Sequence, residues 1–386
     1  MDPTTQGAIL LLEAEQYEAS GDMENAVRCY KEAFKLCPEL EAQRPKDDAD
    51  VEMDYTRLPQ AGSGFQSFPA VDLLKDDSRQ ILQQYFDEYG FIVLDEVMSE
   101  DEVLKAKQHF KTFMSAAGID IDDEEEIAAS FGDRAVGIVG KCGAGQSAMN
   151  WFVRSRPLVK EAFRFANQLK PNEKLITSFD GFNYFRNPET NPAWQGSITP
   201  WFHFDAGHKD HARYVQGIVN LMDCTDESDA GLVLLPKSHN TLFPHVVPQD
   251  PQYPSYLTYM GRREWLTAAQ LGIAERPFRV PLKAGSIVLW KSSVMHCNSS
   301  CLPRSGSRAN PGQLIRRLAV YVCMMKDPMD SKLTEQRRRY FAEGRTTGHQ
   351  PDILRGTGDF GKREFISAGA IIVDEAQLPE GATELL

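Results

Sequence analysis

The tripeptide His203-Phe204-Asp205, read with a distant His296, constrains this chain more than any other feature. His296 follows Ser286-Ile287-Val288-Leu289-Trp290, an apolar run with the length and β-branched content of a strand. On a strand the side chains alternate with period two, so His203 and Asp205 point to one face. Both stand among apolar and aromatic neighbours. A carboxylate buried there is costly unless it is paired or bound to a metal. An isolated His-x-Asp also occurs as a satisfied polar pair at a strand end. A third, distant His turns it into a two-His-one-carboxylate face, a donor set that suits Fe(II) and leaves positions open for other ligands. The candidate metal-ligating and catalytic residues are therefore His203, Asp205 and His296.

The surrounding sequence predicts a β-rich core. Val215-Gln216-Gly217-Ile218-Val219-Asn220-Leu221 and Gly231-Leu232-Val233-Leu234-Leu235-Pro236 read as short strands. Short strands with Gly and Pro punctuation suggest a sandwich or barrel, and jelly rolls include the cupins. At His203-Phe204-Asp205, Gly231 to His239, Lys283 to Trp290 and His296 the chain resembles the phytanoyl-CoA dioxygenase-like Fe(II)/2-oxoglutarate oxygenases. The resemblance implies an α+β fold with a double-stranded β-helix, a jelly-roll or cupin-like core, and flanking helices. It implies Fe(II) on the triad, with 2-oxoglutarate as chelating cosubstrate and O2 as oxidant. The implied activity is that of a non-haem dioxygenase acting on an unactivated C–H of a small molecule. Hydroxylation, desaturation and oxidative cyclisation all fit, each with release of succinate and CO2.

The resemblance also implies an arginine on a strand after the distal His, gripping the far carboxylate of 2-oxoglutarate. A planar guanidinium suits that bidentate task. The strand reads Arg316-Arg317-Leu318-Ala319-Val320-Tyr321-Val322. Adjacent strand residues face opposite ways, so one of Arg316 and Arg317 points inward. Arg317 fits the family's strand start better, with Arg316 as the alternative cosubstrate ligand; if Arg317 is the one, replacing Arg316 is expected to change the 2-oxoglutarate requirement little. A long loop, Cys301 to Gln313, separates both from His296, and Arg308 in that loop has the more usual spacing. Asn298 is a further cosubstrate contact by the same resemblance. Asp180 and Asn183, in the strand-like Phe179 to Phe185, are candidates for the substrate, as is Gln146. Trp151 and Arg154 are equally open to a pocket or a structural role.

Composition narrows the partners. A net charge of −13 argues against nucleic acid or an anionic membrane as the main partner. No apolar run reaches transmembrane length and no signal sequence is evident, so a cytoplasmic protein is expected. The odd, scattered set of seven cysteines suggests reduced thiols. Cys297-x-x-x-Cys301 reads as loop thiols, because no second Cys pair completes a zinc set.

The N-terminus differs in kind. Residues 1–41 resemble a single tetratricopeptide-type helical hairpin, with Ala14, Tyr17, Ala26, Tyr30, Ala33, Phe34 and Leu36 as its apolar pattern. One such repeat cannot bury its own face. It either docks a protein partner or second copy, or packs on the enzyme's own surface. Residues 42–69 read as a linker, and 70–386 as the oxygenase domain. Helices are expected over Asp76 to Tyr89 and Ser99 to Ala117, with a buried strand at Gly90 to Leu94 between them. The segments 187–200 and 239–277 look like lids. A second reading of the chain is a non-catalytic cupin-like binding protein that works through the hairpin.

Overall fold

The computed structural model describes residues 3–20, 23–37, 65–130, 136–140, 142–170, 172–196, 201–206, 213–226, 228–246, 258–259, 277–304, 306, 309–354, 373 and 375–386. Its strands are β1 (Ser67–Pro69), β2 (Phe91–Asp95), β3 (Ile138–Val139), β4 (Leu175–Thr177), β5 (Phe182–Arg186), β6 (His203–Phe204) and β7 (Val215–Asn220). They continue with β8 (Gly231–Leu234), β9 (Thr258–Tyr259), β10 (Phe278–Arg279), β11 (Ile287–Lys291), β12 (His296–Ser299) and β13 (Ile315–Lys326).

Two sheets face each other. The larger runs β1-β2-β11-β7-β13-β5-β3, with β4 also on β13; the smaller runs β10-β8-β12-β6-β9. From β5 onward the chain steps between them. β5, β7, β11 and β13 lie in the large sheet, and β6, β8, β10 and β12 in the small one. This stepping is the double-stranded β-helix, and it closes the core without a helix crossover. Val93, Val219, Leu289 and Val320 are fully buried in the central strands. Each such side chain contributes about 1.5–3 kcal/mol through burial.

Helices cover the large sheet. The helix Asp76–Tyr89 ends at Gly90, whose φ of 78° is open to glycine at little strain. A Cβ there would also lie 2.5 Å from His239 Nδ1 and 2.5 Å from Val294. The helix Glu100–Ala116 begins with a capping box of Ser99 and Glu102. Its Phe110 and Phe113 meet Phe182 of β5 edge-on. The acidic run at 120–126 starts a short helix, Glu124–Ala129, capped by Asp123.

At the N-terminus the helices Pro3–Ser20 and Met23–Leu36 pack on each other, and the first also lies beside the short helix Phe243–Val246. Ala14 and Ala33 are buried, while Leu36 is exposed. The linker expectation runs too far. Ser67–Pro69 pairs parallel with β2, Phe65 meets Phe278, and Gln66 N–H donates to Tyr85 Oη. A three-residue strand containing Pro leaves no period for a sequence reading to catch. Residues 42–64, the Gly21-Asp22 turn, Arg308, His208, His211, and Tyr253, Tyr256 and Trp265 of the expected lid lie outside the described residues. Among the described residues, no helix is long and apolar enough to cross a membrane.

Candidate metal centre and its cavity

His203 and His296 come together because β6 and β12 are neighbours and the two residues are directly paired across them. Their ring centroids are 4.4 Å apart. Asp205 follows on the same face, its N–H bonded to Ser292 O at 3.1 Å. His203 Nε2 lies 3.4 Å from Asp205 Oδ1, and His296 Nε2 lies 3.1 Å from Asp205 Oδ2. Each imidazole donates Nδ1–H to a backbone carbonyl: Trp201 O for His203 and Val294 O for His296, both at 2.9 Å. Those bonds fix the tautomer and leave both Nε2 lone pairs facing the carboxylate. Gln216 Nε2 donates to Asp205 Oδ2 at 2.6 Å and sets its rotamer. The Trp201 indole stacks on His203, centroids 4.6 Å apart.

All three residues are buried, and their ligand atoms fall within 4.8 Å of one another. Donors about 2.1 Å from one ion in adjacent octahedral positions lie about 3 Å apart. The observed spacings fit that face. Burial would raise the Asp205 carboxyl, but the charges of His349, His203 and His296 outweigh it and hold the group well below its usual range. Burial and the neighbouring His203 push the His296 pKa down, in the direction that favours the neutral form a metal ligand needs. Burial pulls His203 down, but the Asp205 carboxylate and the Trp201 carbonyl together outweigh it, so its pKa is raised.

The site opens onto a cavity of about 470 Å³. Ile138, Ile218, Leu232, Val322 and Ile353 form its apolar wall, and Asp180, Tyr321, His349 and Gln350 its polar one. The last two belong to an irregular strap after the helix Ser331–Ala342. Buried Arg337 on that helix holds the strap by donating to Pro351 O at 2.6 Å, and to the carbonyls of Thr177, Leu385 and Leu386. Thr347 N–H donates to Phe179 O at 2.9 Å. Tyr214 and Arg213 both bind Asp352.

The structure separates the two strand arginines. Arg317 is fully buried and donates Nη1–H to Asn298 Oδ1 at 2.6 Å, while its Nε and Nη2 have no partner. It shares a strand face with Tyr321, which lines the cavity. Asn298 lines the cavity as well, and its amide donates to Val136 O. Arg316 points the other way, yet it is not on the surface. It pairs with Glu189 at 2.6 Å and Asp229 at 2.7 Å, all three side chains nearly inaccessible. Both carboxylates are far along the chain, so the sequence offers Arg316 only as an alternative cosubstrate ligand or a surface charge and not as a buried ion pair.

The substrate candidates divide as well. Asp180 lines the cavity. Asn183 does not: its amide donates to Val136 O at 2.9 Å. Gln146 is a correction. Its side chain is buried between Trp151 Nε1–H, which donates to Oε1, and Arg345 O, which accepts from Nε2. Arg154 is also structural, holding the carbonyls of Gly145 and Asp180. Burial pulls its pKa down to about 9. Cys297 and Cys301 are buried thiols pushed up to about 12 by burial, and no disulfide joins any of the seven cysteines. The sequence reading missed His349, Gln350, Tyr321 and Gln216. Tyr321 and Gln216 were legible from strand alternation alone; His349 and Gln350 sit in coil and carried no period.

The family model for phytanoyl-CoA dioxygenase matches residues 86–300, a stretch that includes His203, Asp205 and His296. The chain belongs to the phytanoyl-CoA dioxygenase family. A search of curated proteins finds no match. Among solved structures, a hypothetical protein from Escherichia coli is 14% identical, with a TM-score of 0.50 over 100% of this chain and 96% of its own. The non-haem alpha ketoglutarate dependent carbocyclase SnoK from nogalamycin biosynthesis is 13% identical over 70% of this chain and 94% of its own, TM-score 0.43. EctD from S. alaskensis is 16% identical over 69% and 81%, TM-score 0.39. At 14% identity the likeness to the Escherichia coli protein is one of fold alone.

Proposed function

We propose that this phytanoyl-CoA dioxygenase family member is an Fe(II)- and 2-oxoglutarate-dependent dioxygenase that oxidises an unactivated C–H of a small molecule. His203 Nε2, Asp205 and His296 Nε2 would hold the iron. The Nε/Nη2 edge of Arg317 would take the far carboxylate of 2-oxoglutarate. That edge carries the reading. Burying two guanidinium donors without an acceptor is costly. Nε and Nη2 form the side of the fork that grips a carboxylate with two parallel bonds.

With both groups bound, the centre supplies O2-dependent C–H oxidation coupled to conversion of 2-oxoglutarate into succinate and CO2. The chain's own residues do the positioning. Asn298 orients Arg317 through its Oδ1. Gln216 steadies Asp205. The Trp201 face and the Ile218, Leu232 and Val322 walls keep water from the centre and leave room for one apolar body. Hydroxylation, desaturation and cyclisation all remain open to such a site.

The test is succinate formation from 2-oxoglutarate by the full chain. It is expected to require both Fe(II) and O2, and to vanish with loss of iron binding in His203→Ala and His296→Ala. Succinate formation at limiting iron in either variant would remove that residue from the metal set.

A further inference from the structure

The polar end of the cavity defines a substrate class. This inference rests on the oxygenase reading above. Asp180 is, apart from the metal-ligand candidate Asp205, the one carboxylate among the described lining residues, and no Lys or Arg is among them. Among the described lining residues around Asp180, an anionic substrate group would therefore meet no lysine or arginine. The Asp180 carboxyl is enclosed by protein but partly open to the cavity. Its Oδ1 accepts from Gly181 N–H at 2.7 Å, and no lysine or arginine among the described residues forms an ion pair with it. The nearest arginine, Arg154, has its guanidinium on backbone carbonyls, one of them Asp180's own. His349 stands near without forming an ion pair. The Nε2 atoms of His349 and of Gln350, a residue 7% exposed, are buried without a partner. Two polar side chains lining the cavity beside Asp180, His349 and Gln350, thus have a nitrogen without the partner that buried polar groups normally have.

We propose that the substrate is a small, apolar-bodied molecule bearing a basic nitrogen, and that Asp180 receives that nitrogen at the end of the cavity lined by His349 and Gln350. An oxygen beside the nitrogen would satisfy the Gln350 amide. Burial raises the Asp180 carboxyl against the pull of His349, the Gly181 N–H and Arg154. A bound ammonium would favour its charged form. The cavity is within the range of small-molecule sites and must also admit the cosubstrate, which bounds the substrate's size.

The probes are cyclohexylmethylamine, its neutral isostere cyclohexylmethanol, and cyclohexanecarboxylate. They are titrated by saturation-transfer NMR into the full chain loaded with Zn(II) and 2-oxoglutarate. The amine is expected to bind about tenfold or more tighter than the alcohol, the gap of a charge-assisted pair, with the carboxylate weakest. Asp180→Asn keeps the acceptor for Gly181 N–H and should close most of that gap. The proposal is overturned if the alcohol matches the amine, if the carboxylate binds best, if Asp180→Asn keeps the gap, or if no probe binds at millimolar concentration. The 2-oxoglutarate signals in the same samples separate the two claims. Bound 2-oxoglutarate without amine preference defeats this inference alone; unbound 2-oxoglutarate defeats the oxygenase reading.

Discussion

Arg316 and Arg317 are adjacent in sequence and do unrelated work. Alternation on β13 sends one to Glu189 and Asp229 and the other toward Asn298. Their variants should fail differently. Arg317→Ala is expected to raise the 2-oxoglutarate concentration needed for half-saturation by about tenfold to a hundredfold, the loss of a charged hydrogen-bonded pair. Urea unfolding of the same variant should show only a modest change, because removing the arginine also removes its unpartnered donors. Arg316→Ala takes the paired guanidinium from buried Glu189 and leaves Asp229 with Arg304 alone, and should cost about 3 kcal/mol or more in stability. Equal half-saturation values in wild type and Arg317→Ala would end its assignment to the cosubstrate. Strand parity sufficed to say that one arginine points inward. It gave no sign that the other is also buried, since the residues that neutralise it lie in loops.

At the scale of elements, the readable parts were those with a period. The sequence expectations for Asp76 to Tyr89, Gly90 to Leu94, Val215 to Leu221 and Arg316 to Val322 all have their element. The direct pairing of His203 with His296 follows from the small sheet's order, which no local pattern encodes. The strap was invisible because four carbonyls converge on Arg337 from distant segments, whereas in sequence Arg337 is one of three consecutive arginines on a polar helix.

His239, beneath the Gly90 turn, makes a prediction at this scale. Its Nε2–H donates to Asp87 O at 3.0 Å, and burial lowers its pKa from 6.5 to about 4. The folded state therefore binds its proton later than the unfolded chain does. The stabilisation is full above pH 6.5 and is lost as pH falls from 6.5 toward 4, by on the order of 3 kcal/mol in total. His239→Gln keeps a donor for Asp87 O and should flatten the stability curve across that window in denaturant titrations. An unchanged slope would mean that other groups carry the acid sensitivity.

For the whole molecule, the question is what the N-terminal hairpin does for the β-helix. Its first helix reads Ala8-Ile9-Leu10-Leu11-Leu12, and Ala8, Leu11 and Leu12 are almost wholly buried. An apolar run of that kind needs cover on more than one side. The second helix and the Phe243–Val246 helix are both adjacent. No metal-ligand candidate lies in it. A truncated chain beginning at Phe65, so that β1 is kept, should hold Fe(II) and 2-oxoglutarate as the full chain does and lose some stability where Phe243 is uncovered. Loss of cosubstrate binding in a folded truncation would show instead that the hairpin shapes the site. The claim on which the rest depends is tested most directly by a crystal structure of the full chain grown anaerobically with Fe(II) and 2-oxoglutarate. The account predicts the ion on His203 Nε2, Asp205 and His296 Nε2, with the far carboxylate of 2-oxoglutarate on the Nε/Nη2 edge of Arg317. An ion bound elsewhere, or 2-oxoglutarate held with Arg317 still unpartnered, would contradict it.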